Sequence, residues 1–145
     1  ALLLQKFSEK DLVPPKLPKT WEELQDLKEV NGFFITSDAT IKADDGFDKN
    51  TDINNFFTKQ LAKSALAMAQ LSQLMAVYNG NWVPNWFSSM HTVENTKYCI
   101  CRYNNNIETK EYQTRWAFLA FETAENRDEF LKNFYPLIRD YFMLD

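Results

Sequence analysis

The chain has 145 residues, 45% hydrophobic and 15% aromatic, with only 3 Gly and 5 Pro. This excludes collagen-like and low-complexity classes, and twenty-two aromatic rings supply the apolar surface that a disordered chain lacks. Sixteen basic against twenty acidic residues give net −4, with the acidity in the first third, so strong salt-driven binding to nucleic-acid phosphates is not the default.

Residues 1–19 hold Pro14, Pro15 and Pro18, which forbid a continuous helix and predict an extended arm ahead of a single domain over 20–145. Ala1-Leu2-Leu3-Leu4 starts apolar, but Gln5, Lys6 and Glu9 break it before a signal-peptide core forms. Thr20 and Glu23 have capping-box spacing, so a short helix should begin at Trp21, run to about Glu29 and stop at Asn31-Gly32. Phe33 to Thr36 and Thr40 to Lys42 read as a hairpin across Ser37-Asp38, followed by a polar, acidic loop from Asp44 to Asp52.

The strongest element is a helix predicted from Asn54 to Tyr78, capped by Thr51 or Asp52. Its polar stripe (Lys59, Lys63, Gln70, Gln73) is narrow and most of its girth is apolar, so it should be central and packed on more than one side. Asn79-Gly80 ends it. Beyond Asn81–Phe87, too short and Pro-broken for a helix, three strands should form an antiparallel meander: Lys97 to Tyr103, Ile107 to Tyr112, and Thr114 to Phe121. Thr123 should cap the closing helix, which Pro136 kinks near Asn133 or divides. The predicted architecture is α+β: a three-stranded antiparallel meander packed against the long central helix and a kinked C-terminal helix, with a short N-terminal helix and hairpin. Phe57, Phe118, Phe121, Phe130 and Phe134 are its expected core rings.

Little in the chain points to catalysis. A structural zinc site takes four Cys or His ligands, and only His91, Cys99 and Cys101 are present. The Asp44–Asp52 loop fails the calcium-loop register from either starting Asp, with Lys49 where glycine belongs and Asn55 or Lys59 where the bidentate Glu belongs. Ser88, Ser89 and His91 form no triad pattern, no glycine-rich phosphate loop exists, and Glu22/Glu23 and Asp128/Glu129 fit helix first turns. A dyad of His91 with Cys99 or Cys101 needs an electropositive, partly exposed thiol. Cys99 and Cys101 lie two apart on one strand, an arrangement that disfavours a disulfide and fits a reduced, cytoplasmic setting with packed thiols. No catalytic residue, metal or cofactor is expected.

Two features invite binding readings. Tyr98, Tyr103, Tyr112 and Trp116 interleave with Lys97, Arg102, Lys110 and Arg115 in the meander, the composition of a single-stranded nucleic-acid platform. Trp82-x-Pro84-x-Trp86 makes a rigid aromatic corner, able either to staple the helix end to the sheet or to clamp a ligand or a partner's proline.

The helix running into Asn79-Gly80-Asn81-Trp82-Val83-Pro84-Asn85-Trp86, then Lys97-Tyr98, Arg115–Phe121 and Arg127-Asp128-Glu129-Phe130, resembles a group of small uncharacterised proteins of gut Bacteroidetes and their phages and mobile elements. In that group a helix ends in a Gly-Trp-x-Pro-Asp-Trp-like turn, and a Lys-Tyr-Tyr-like strand, an aliphatic strand and an amphipathic helix follow. The likeness spans about residues 66–142; Asn85 stands where Asp is usual, and Cys99-Ile100 follows the Lys-Tyr pair. It implies provenance and carries over no catalytic residues. The leading expectation is a non-enzymatic, phage- or mobile-element-related interaction module that binds a protein partner or itself, away from membranes. Single-stranded nucleic-acid binding through the meander is the alternative. The binding residues expected across the two are Trp82, Pro84, Trp86, Tyr98, Arg102 and Arg115.

Overall fold

A computed structural model describes residues 17–27, 32–43, 55–87, 89 and 91–144. The first sixteen residues of the expected arm, the end of the first helix and the acidic loop lie outside them. Helix α1 (Trp21–Leu27) starts as the sequence reads: the Thr20 hydroxyl accepts from Glu23 N–H at 3.1 Å, while the Glu23 carboxylate reaches back to Lys19 N–H at 2.7 Å. The expected hairpin is present as β1 (Phe33–Ile35) and β2 (Ile41–Ala43), and its turn is tied by the Thr36, Asp38 and Thr40 side chains.

The hairpin recruits a third strand from an unexpected place. Residues Asn55–Phe56 form β3, antiparallel to β1, which gives the order β2-β1-β3. The long helix α2 (Lys59–Asn79) therefore begins later than the periodicity suggests. Its cap is Thr58, whose hydroxyl accepts from Leu61 N–H at 3.1 Å, and the expected caps Thr51 and Asp52 lie outside the described residues. Phe57 falls between strand and cap and is 51% exposed; it is not a core ring. Gly32 permits the close approach, since a Cβ there would overlap the Asn55 side chain and the Phe56 carbonyl.

Helix α2 is central as expected. It packs against the first sheet, against β6 (Leu119–Phe121), and against α3 (Ala124–Asn133) and α4 (Tyr135–Tyr141). Ser64 donates to the Tyr141 carbonyl at 2.7 Å, and Lys63 pairs with Asp140 at 3.4 Å. The helix ends at Gly80, whose N–H bonds to Ala76 O at 3.0 Å and whose φ of 56° suits a residue without Cβ. Thr123 caps α3 by accepting from Asn126 N–H at 3.2 Å. Pro136 divides the C-terminal helix as read, with the break at Phe134.

The second sheet is three-stranded and antiparallel but is not a meander. Strand β4 (Lys97–Tyr103) pairs with β5 (Asn106–Tyr112) through a tight turn in which Asn104 takes φ 53°. The chain then crosses the start of β4, and β6 pairs on its far side, giving β5-β4-β6 with β4 in the middle. The cause is hydrophobic: β4 is more apolar than β5 and is buried by a neighbour on each edge, whereas β5 is largely polar and keeps the open edge. Residues 114–118, expected as strand, make this crossing. Leu71, Ile100, Leu119, Phe121, Phe130 and Ile138 form the core beneath the helices, with Phe118 and Phe134 packed on it.

Candidate functional site

Strand alternation assigns each expected residue to a face of the second sheet. Tyr98, Ile100 and Arg102 share one parity, and Ile100 is in the helix-side core. Tyr98 lies under the Arg127 guanidinium, 5.5 Å from ring to carbon. Arg102 donates from Nη1 to the Phe142 carbonyl at 2.6 Å and from Nε to Asn104 O at 2.7 Å. Both residues are engaged with the helical layer or with their own turn. Arg115 stands elsewhere, on the crossing segment, with its guanidinium 5.3 Å from the Tyr112 ring. The structure does not bring these three residues onto one open face.

The opposite parity holds Lys97, Cys99, Cys101 and Ala120, and the Trp82–Phe87 segment lies against Lys97 and Ala120. That segment is held at defined points. Trp82 N–H bonds to Asn79 O at 3.0 Å, and the Asn85 side chain accepts from Phe87 N–H at 3.0 Å. Lys97 fixes it from below: the side chain is 1% exposed, its Nζ donates to the carbonyls of Asn85 and Gln113, and it sits 4.7 Å from the centre of the Trp86 ring. One ammonium thus joins the aromatic corner to the crossing segment, using two carbonyls and a ring face. Burial lowers the Lys97 pKa below the ordinary lysine value.

Above this clamp lies a cleft of about 240 Å³ lined by Trp82, Pro84, Trp86, Trp116 and Phe118, with Met75, Asn79, Ala117 and Ala120 completing it. The corner is both staple and wall: Trp82 and Trp86 are half-buried, while Trp116 is 66% exposed. At the helix end of the cleft the Asn79 amide donates to Ala120 O at 2.9 Å, but its Oδ1 is buried with no hydrogen-bond partner. On the outer side of the same corner Val83 and Phe87 are 83% and 74% exposed, so apolar surface continues around Pro84.

Comparison of the chain with family models, with curated proteins and with solved structures finds no match.

The thiols face the same side, in surroundings that disfavour the thiolate. Burial pushes Cys99 up to about 12, with the neighbouring Cys101 adding to the rise, and burial also raises Cys101. His91 lies at a shallow surface depression with Tyr112, Gln113 and Arg115. Among the described residues no group of three His, Cys, Asp or Glu stands together to hold a metal ion, and no helix is long and apolar enough to cross a membrane. Asn79 is read from the sequence only as a helix end, and Lys97 and Trp116 only as members of the charged, aromatic sheet, whereas the structure sets all three beside the corner. For Lys97 a signal exists, since it shares the parity of Cys99 and so belongs to a buried face.

Proposed function

We propose that this protein is a non-enzymatic interaction module, of the phage- or mobile-element-related kind its C-terminal half resembles, that holds an extended segment of a protein partner in the Trp82–Pro84–Trp86–Trp116 cleft. The observation that carries this reading is the cleft itself: three indoles and a proline ring around one opening, on the Trp82–Phe87 loop and the crossing segment, which one buried lysine ties together. Rigid aromatic walls are how short Pro-containing peptides are gripped, because neither side loses much conformational freedom on binding. The high pKa of Cys99 supports the non-enzymatic part.

The test is tryptophan emission of the full chain titrated with a panel of proline-containing decapeptides unrelated to its own sequence. Saturable quenching by at least one peptide, absent in Trp116→Ala, is expected. Emission unchanged by every peptide at millimolar concentration would overturn the reading.

A further inference from the structure

We infer that β5 is the edge along which two copies of this chain join, antiparallel and centred on Thr109, into one continuous sheet. The inference does not depend on the cleft.

Backbone geometry sets which groups this edge offers. A turn of two residues closes on Tyr103 and Asn106, and a pair flanking so short a turn exchanges both of its N–H···O bonds. Alternation then points the backbone of Asn106, Glu108, Lys110 and Tyr112 toward β4, and turns the N–H and C=O groups of Ile107, Thr109 and Glu111 outward. Among the described residues no strand pairs with this edge, and Thr109, Lys110 and Glu111 are exposed.

An open row of backbone groups accepts many strands, and charged side chains ordinarily keep such edges apart. On β5 the charges instead favour one register. Where two copies pair about Thr109, that residue meets its counterpart and Ile107 meets Glu111 of the second copy, each through outward backbone groups. The positions between place Glu108 opposite Lys110 of the second copy, and Lys110 opposite its Glu108. These are non-hydrogen-bonded pairs, in which side chains stand closest. Glu108 and Lys110 already pair within one chain at 3.3 Å, so the joint gathers charges of alternating sign into one cluster. Other registers lose this match. Centred on Glu108, Lys110 or Glu111, the two-fold sets like charges against each other; centred on Ile107, the overlap runs into the turn. The Glu111 carboxylate is not left unpaired against Ile107, because Arg127 holds it at 2.9 Å. A two-fold through Thr109 closes after two copies and keeps both helical layers on the same side of the joined sheet.

The experiment is sedimentation of the full chain and its variants, with circular dichroism to check folding. The wild type should form dimers that dissociate on dilution. Thr109→Pro removes an outward N–H and no bond to β4, a change edge strands tolerate, so the monomer should stay folded and lose association. Glu108→Lys and Lys110→Glu, each alone, oppose like charges at both symmetric places and should raise the dissociation constant about tenfold or more. Mixed one to one, these two variants should recover wild-type association, as should the double swap within one chain. If Thr109→Pro fails to fold, the charge variants decide alone. A wild type that stays monomeric at millimolar concentration, dimers that survive in folded Thr109→Pro, single-charge variants as tight as the wild type, or a mixture that does not associate would each overturn the inference. Trp116→Ala should dimerise as the wild type does; its loss of association would place the joint at the cleft and overturn the β5 assignment as well.

Discussion

The two faces of the second sheet are built on different principles. On the helix side Phe130 is fully buried and surrounded by Tyr78, Phe121 and Phe134 at ring distances of 5.0, 4.8 and 4.8 Å, and the charged Arg127 is paired with Glu111 and Asp128 at 2.9 Å each. On the other side one loop lies over the start of β4, a lysine supplies the fastening, and the buried Asn79 amide oxygen has no hydrogen-bond partner among the described residues. A face that satisfies itself is scaffold. A face covered by one loop, with one buried amide oxygen unpaired and an exposed indole at its edge, is held together by fewer satisfied contacts.

The contrast can be broken first from the helix side. Phe130→Ala should lower stability by about 3–5 kcal/mol, because the cavity falls among close-packed rings that cannot collapse into it; a urea midpoint shift equivalent to less than about 1 kcal/mol would mean the cluster is not the core. On the loop side Lys97→Met keeps the aliphatic length but strands two carbonyls, with an expected loss of about 1–3 kcal/mol and increased proteolysis confined to residues 82–87. Equal stability in Lys97→Met and wild type would mean that the ammonium is not the fastening.

A third measurement separates the two ionisable groups of the covered face by pH. The folded Cys99 thiol titrates at about 12 instead of the usual 9.0, so its contribution is complete below pH 9 and lost as pH rises toward 12, where the unfolded chain ionises and the folded one resists. Lys97 has the opposite sign: its folded pKa is depressed below 10.5, so the burial penalty present at neutral pH is relieved as pH rises. In Cys99→Ala the alkaline fall in stability should shrink, exposing the shallow rise due to Lys97; an unchanged alkaline profile would assign the fall to other groups. The smallest effect is expected at Trp116→Ala, within about 0.5 kcal/mol of wild type as befits an exposed residue, while peptide-induced quenching disappears. A large stability loss there would make Trp116 a structural ring and the cleft a packing defect.

Much of this layout is legible in the amino-acid sequence alone. Thr20 and Thr123 announce helix starts by their hydroxyls, Gly80 and Pro136 announce ends and breaks through backbone geometry, and all four act locally. The α+β class follows from such local signals. Strand order is different in kind: Trp116 to Phe121 reads as one apolar run whether it pairs with β5 or crosses to β4, and only the depth of burial that β4 demands decides it. The late start of α2 is hidden for a related reason, because Asn55-Phe56 carries no mark of its pairing with β1. Of the site, Trp82, Pro84 and Trp86 stand out as a corner. Asn79 is legible only as a helix end, and Lys97 only as a charge, because what each does depends on carbonyls and rings from other segments.

The clamp at Lys97 also sets how the molecule breathes. The carbonyls it ties belong to residues only 12 and 16 positions away in the chain, whereas the helix-side core joins Leu71 to Ile138. Ties between near neighbours in the chain can break and re-form without separating distant segments, so the outer layer is expected to open locally while the long-range core stays intact. Hydrogen exchange is expected to show two tiers, a local one for the 82–87 segment, slowed as long as Lys97 holds it, and a global one for the strands beneath α2 and α3.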